Sequence, residues 1–315
     1  MAASEEARGA PAEAPDVARG LENLPVSAWP PGAGPPPFQY SPDHVAGPGA
    51  DADPSQVSFP GCGCRGAPCR PGSCACLRGP AHYEDDLSLR ARGAPGPLFE
   101  CNALCACGEA CGNRVVQRGL RFRLQVFWAG AKGWGLRTLD PVPEGQFVCE
   151  YAGEVLGRAE AQRRLRLQAA GDANYIIAVR EHVRGGQVLE TFVDPARVGN
   201  VGRFLNHSCE PNLLMVPVRI DSMVPKLALF AARHIWPQEE LSYDYSGRFL
   251  NPMDSADPER PEPGEARKPC YCGAAACASF LPFDRSLFGP GATPTRGQGG
   301  AAAAPQLEGP RLPSR

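Results

Sequence analysis

Fourteen cysteines sit in this 315-residue chain, nine of them between positions 62 and 111. Their spacing is Cys62-x-Cys64-x4-Cys69-x4-Cys74-x-Cys76, then Cys101-x3-Cys105-x-Cys107-x3-Cys111. Met1–Gly20 is rich in Ala, Glu and Pro with no apolar core segment, so no secretory leader is expected. In a reducing compartment a disulfide framework is disfavoured, and tight C-x-C clusters read as metal ligands. Zinc takes four thiolate or imidazole ligands. Nine thiolates complete three zinc sites if three of them bridge two metals each. Nine thiolates and three divalent ions carry a formal charge of −3, which calls for backbone N–H donors and cations; Arg65, Arg70, Arg78 and Arg114 are candidates. Such all-thiolate sites leave no open coordination position. They are structural and stand in for a hydrophobic core this segment lacks.

A second cluster, Cys270-x-Cys272-x4-Cys277, offers three ligands. Cys209 is a distant candidate for the fourth. The alternatives are an intermolecular site or free thiols. Cys149, inside Phe147-Val148-Cys149-Glu150, reads as a buried apolar thiol.

Residues 1–56 are Pro/Gly/Ala-rich, net acidic and aperiodic, which predicts a disordered segment. Residues 57–114 form the cysteine unit, with a loop insert at 78–98. Residues 115–250 alternate short apolar runs with Gly, Pro, Asn and Asp. Strands are expected at 121–127, 146–151, 174–179, 191–193, 215–220 and 226–232. The clearest helix is 158–170, stopped by Gly171. A flexible connector (251–268), a second cysteine unit (269–285) and a disordered tail (286–315) follow. The class is mainly β with short helices. Net charge is −2 with no basic stripe, which argues against a dedicated nucleic-acid-binding protein. No apolar stretch is long enough to span a bilayer, so no membrane partner is expected.

Several short motifs are individually bland. Tyr243 and Tyr245 share a strand face, where tyrosines ordinarily pack in a core. Gly133-Trp134-Gly135 alone is a turn, and His207 alone a loop histidine. Together, Arg203-Phe204-Leu205-Asn206-His207-Ser208-Cys209-Glu210-Pro211-Asn212, Glu240-Leu241-Ser242-Tyr243-Asp244-Tyr245, Gly133-Trp134-Gly135 and Tyr151-Ala152-Gly153-Glu154 resemble the SET-domain lysine methyltransferases. The nine-cysteine unit resembles their pre-SET module, and 270–277 their post-SET module.

That resemblance implies a β-clip of small curved sheets enclosing a pseudoknot, where the Asn-His and Tyr-x-Tyr segments meet. It sits between a three-zinc pre-SET cluster and a one-zinc post-SET module, about four zinc ions per chain. The cofactor implied is S-adenosylmethionine, and the reaction is methyl transfer to a lysine of histone H3. Tyr245 resembles the catalytic tyrosine. Tyr175 resembles the tyrosine shared by cofactor and lysine channel. Tyr243, where the family carries Phe or Tyr, implies mono- or dimethylation. Lys132, Gly133, Trp134 and Gly135 resemble the cofactor loop, and Arg203, Asn206 and His207 resemble further cofactor contacts. The metal ligands implied are Cys62, Cys64, Cys69, Cys74, Cys76, Cys101, Cys105, Cys107, Cys111, Cys209, Cys270, Cys272 and Cys277.

The expected partner is the H3 tail or nucleosome, and the expected location is chromatin in the nucleus. The pre-SET pattern resembles the branch acting on H3 lysine 9, while a closer likeness within the family suggests lysine 36 or lysine 4. A basic tail calls for an acidic groove, with Glu150, Glu154, Glu181, Glu190, Asp194 and Asp221 as dispersed candidates. The four arginines between Arg158 and Arg166 read either as a solvated helix face or as a weak DNA contact. A catalytically silent chromatin-binding module is the competing reading, and intact Tyr245, Asn206 and His207 weigh against it.

Overall fold

The computed structural model describes residues 15–65, 69–77, 79–90, 97–169, 172–182, 188–246, 267–284 and 287. Its strands are β1 (Ser27–Trp29), β2 (Gln39–Tyr40), β3 (Val45–Ala46), β4 (Leu98–Phe99), β5 (Leu124–Trp128), β6 (Trp134–Thr138) and β7 (Phe147–Glu150). β8 (Gly153–Leu156), β9 (Ile177–His182), β10 (Val188–Gly199), β11 (Asn206–His207), β12 (Leu213–Arg219), β13 (Lys226–Ala231) and β14 (Glu240–Tyr243) follow. The one α-helix among the described residues is α1 (Arg158–Leu167). No described helix is long and apolar enough to cross a membrane.

Three small sheets result, ordered β1-β5-β6-β14-β11, β2-β10-β8-β3 and β4-β12-β13-β7, with β9 paired to β10. The antiparallel pair β12–β13 shows how sequence dictates layering. Its apolar runs are continuous because both faces are covered. Met215, Leu227 and Leu229 enter one core, while Val216, Val218, Ala228 and Phe230 enter a second core on the opposite face. This is the period-2 alternation of a strand, with a hydrophobic cluster on each side. Arg219, fully buried, is held by two parallel bonds to the Glu181 carboxylate at 2.8 and 2.7 Å, tying β12 to β9. The paired geometry offsets the cost of desolvating both charges.

Four sequence expectations need correction. Residues 15–56 are not a disordered arm. They carry β1 to β3, which pair in parallel with β5, β10 and β8. Val26, Ala28 and Tyr40 are buried. Strands of two or three residues are too short to leave a periodic trace. The helix ends at Leu167 because Gln168 turns extended, at φ −68° and ψ 130°, three residues before Gly171. Gly171 itself lies outside the described residues. In the 78–98 insert, residues 79–90 dock: Tyr83, Leu87 and Leu89 pack into the second core, and Leu89 N–H donates to Gly145 O at 2.8 Å. Finally, Leu287 of the tail is buried beside Leu156, Ala161 and Leu165. The expectations for 1–14, for 251–266 and for the tail beyond 287 lie outside the described residues.

Candidate active site and metal centres

The site begins where β11 runs parallel to β14, pairing Asn206 with Ser242 and His207 with Tyr243. Segments more than thirty residues apart thus become neighbours. Ser208 N–H donates to Tyr243 O at 3.2 Å, Tyr245 N–H donates to His207 Nδ1 at 3.2 Å, and Tyr245 Oη donates to Leu205 O at 2.6 Å. Burial holds the His207 pKa below its ordinary value. Its Nδ1 accepts a backbone N–H, so the neutral ring carries its proton on Nε2, which lies 3.4 Å from Cys209 Sγ.

Three aromatic rings cluster here. Tyr243 lies 4.9 Å from Tyr245 and 5.8 Å from Tyr151, centroid to centroid. Tyr151 Oη donates to Tyr175 O at 2.5 Å. Tyr243 is only 3% exposed. Burial pushes the phenol pKa of Tyr245 far above its ordinary value, aided by Tyr175 and Glu240. Burial, with Tyr151 and Tyr245 nearby, does the same for Tyr243. These hydroxyls stay protonated at neutral pH. They can orient and accept hydrogen bonds, but they cannot serve as phenolate bases.

Gly133, at φ 80°, ends a tight turn over Gly130–Lys132 that is closed by Ala129 N–H to Gly133 O at 2.7 Å. A Cβ at Gly133 would meet nothing within 4 Å, so a ligand can approach this backbone closely. A Cβ at Gly135 would lie 3.1 Å from both Asn206 Nδ2 and Phe127, so glycine there admits the Asn206 side chain. Gly133-Trp134-Gly135 is thus more than a turn: from Trp134 onward it is β6, hydrogen-bonded to β14. Lys132 Nζ is ion-paired with Glu240, whose Oε1 accepts from Asn206 Nδ2 at 3.0 Å. Lys132, Trp134, Gly135 and Asn206 therefore meet in one place. Arg203 sits among aromatic rings. Its guanidinium carbon is 4.2 Å from the Phe38 ring centroid and 4.9 Å from that of Tyr175.

Sequence reasoning gave Tyr151, Glu240 and Phe38 no role. The first two lie inside quoted motifs and could have been flagged. Phe38 carries no local signal.

The thiols gather as four-sulfur groups whose Sγ atoms lie within 4.8 Å of one another: Cys62/64/69/74, Cys62/76/101/105 and Cys62/69/101/107, and, separately, Cys209/270/272/277. Cys62, Cys69 and Cys101 recur between groups, which marks them as the three bridging sulfurs. Cys69 also contacts Cys111, leaving Cys69, Cys101, Cys107 and Cys111 as the third set. These donor sets fit zinc. Backbone N–H groups of Cys62 and Asn102 donate to Cys105 Sγ, each at 3.2 Å, and Arg114 reaches Cys107 Sγ at 3.7 Å. Arg78 lies outside the described residues. Cys209 completes the C-terminal trio, placing that module beside His207.

Five of the six acidic candidates are paired with the chain's own cations, and Asp221 makes no ion pair among the described residues. Glu154 and Asp194 bind Arg164, Glu181 binds Arg219, Glu190 binds Arg158 and Arg180, and Glu150 binds Lys226. Among the helix arginines, Arg158, Arg163 and Arg164 are paired with carboxylates of the chain itself.

The SET domain family model matches residues 133–246, and the Pre-SET motif model matches 18–114. Histone-lysine N-methyltransferase SETMAR of Bos taurus is 69% identical over 291 residues, covering 91% of this chain and 95% of that protein. The crystal structure of the methyltransferase domain of human SETMAR superposes with a TM-score of 0.77 at 64% identity, covering 85% of this chain and 98% of that one. KRYPTONITE, solved in complex with methylated DNA, an H3(1-15) peptide and S-adenosylhomocysteine, is similar with a TM-score of 0.62 at 31% identity, covering 88% of this chain and 55% of that one.

Proposed function

This chain belongs to the SET-domain histone-lysine methyltransferase family, and from that premise we propose that it transfers methyl from S-adenosylmethionine to a lysine of histone H3, stopping at mono- or dimethylation. The single observation carrying the reading is the β11–β14 pairing, which sets Asn206 and His207 against Tyr243 and Tyr245. The cofactor supplies a methyl group made electrophilic by sulfonium. Everything else falls to the chain.

The backbone at Lys132–Gly135, with Asn206, His207 and Arg203, binds the cofactor. Tyr245, Tyr175 and Tyr243 line the amine channel. A free lysine has a pKa near ~10.4. Entry into an apolar, aromatic-walled channel disfavours its charged form, which yields the neutral nucleophile. Tyr245 Oη, anchored on Leu205 O, holds a fixed acceptor lone pair toward the amine. Alignment of this kind can supply roughly 7–11 kcal/mol of the barrier. The substrate tail adds as a strand along β9, which among the described residues pairs only with β10. The chain would act in the nucleus, on chromatin.

Tyr243 sets the product state. Its hydroxyl, on a ring packed edge-on against Tyr151, occupies room that a third methyl group would need. Mass spectrometry of an H3 tail incubated with the zinc-loaded protein and S-adenosylmethionine should show mono- and dimethyl-lysine at one position. Tyr243→Phe should shift the product toward trimethyl. Efficient trimethylation by the unaltered protein would refute this role, and an unmodified histone would favour the silent chromatin-binding module.

A further inference from the structure

Arg203 is buried, and among the described residues it makes no ion pair with Asp or Glu. Two donors go to main-chain carbonyls: Nε to Pro195 O at 3.1 Å and Nη2 to Ala196 O at 3.3 Å. The rest of its charge is satisfied by aromatic rings. Its guanidinium carbon lies 4.2, 4.9 and 5.1 Å from the centroids of Phe38, Tyr175 and Phe204. A desolvated guanidinium over ring faces is where the cation–π attraction is strongest.

Phe38 reaches this position from the N-terminal segment. The next residues, Gln39 and Tyr40, pair with Val198 and Gly199 of β10. Tyr40 Oη donates to Glu22 at 2.8 Å and accepts Val201 N–H at 3.3 Å. Phe38 also meets Phe204 edge-on at 5.7 Å. Tyr175, the second ring over the guanidinium, precedes β9; its carbonyl accepts from Tyr151 Oη at 2.5 Å, but its ring has no strand neighbour to hold it. Its ring orientation depends on what it packs against.

We propose that Phe38 is a positioning residue for cofactor binding: by stacking on Arg203 it holds the guanidinium, and through it the Tyr175 ring, in the geometry that receives S-adenosylmethionine. The inference rests on the methyltransferase reading of this site. It makes residues 15–56 part of the catalytic unit, through one ring that never touches the reacting atoms.

The test uses the full zinc-loaded chain and S-adenosylhomocysteine as an unreactive probe, with Kd read by calorimetry. Phe38→Leu keeps apolar bulk but has no ring face, and Phe38→Tyr keeps the face. Phe38→Leu should raise the Kd for the probe and the KM for S-adenosylmethionine by about 3–20-fold, with kcat within about twofold. Phe38→Tyr should restore both. Arg203→Lys should weaken the probe similarly, and the Phe38→Leu/Arg203→Lys pair should cost less than the product of the two single effects, since both remove one contact. Single cooperative melting transitions for the Leu and Tyr variants should show that both are folded at the assay temperature. An unchanged Kd in Phe38→Leu, equal weakening by Leu and Tyr, or fully multiplicative losses in the pair would each overturn the proposal while leaving the methyltransferase reading intact. Failure of the parent protein itself to bind the probe would sink both.

Discussion

Tyr245→Phe should slow methyl transfer by about 100- to 1,000-fold, the usual cost of removing one preorganised polar group from a reacting centre. The hydroxyl donates to Leu205 O at 2.6 Å, which fixes the ring. In the proposed mechanism its lone pair orients the amine. Phenylalanine keeps the ring contacts with His207 at 5.3 Å and Tyr243 at 4.9 Å, so the site should keep its shape. The lost hydrogen bond costs roughly 1 kcal/mol of stability. Single-turnover rates with a histone substrate, beside calorimetry with S-adenosylhomocysteine, separate the effects: the rate should fall while cofactor affinity holds. A variant as fast as the parent would remove Tyr245 from its place at the reacting centre.

Loss of metal should be as damaging, by a different route. Elemental analysis should find about four zinc ions per chain. Cys62→Ser removes a sulfur shared between groups, so more than one ion should leave and residues 57–114 should not fold. Binding energies for structural zinc run to roughly 10–16 kcal/mol, as large as the whole net stability of an ordinary domain at about 5–15 kcal/mol. Cys272→Ser, by contrast, should cost one ion and leave the pre-SET cluster intact. It should still reduce methyl transfer, because Cys209 of the same group lies 3.4 Å from His207 Nε2. A metal count of two or fewer in the parent protein would overturn the ligand assignment.

What could be read in advance follows the physics of each signal. Thiol clustering is local and chemically specific, so the four-sulfur groups were legible in outline, including the need for shared ligands. β12 and β13 were legible because burial on both faces writes a continuous apolar run. β6 was not: Trp134 and Gly135 look like turn residues, and only their pairing with β5 and β14 makes them a strand. β1 to β3 were invisible because their order comes from partners about 100 to 160 positions away. The same distance problem misled the charge reading. Glu181 looked available to a basic peptide, yet Arg219 takes both its oxygens from 38 residues away. Phe38 is the sharpest case. Its importance lies in a stack with Arg203, and nothing near it in the chain announces that contact.

The central proposal is that the backbone at Lys132–Gly135, with Asn206, His207 and Arg203, receives a sulfonium nucleoside. Titration of the zinc-loaded chain with S-adenosylmethionine by calorimetry tests this directly. Saturable binding at one molecule per chain is the predicted result; a correctly folded, four-zinc protein that shows no binding would contradict it.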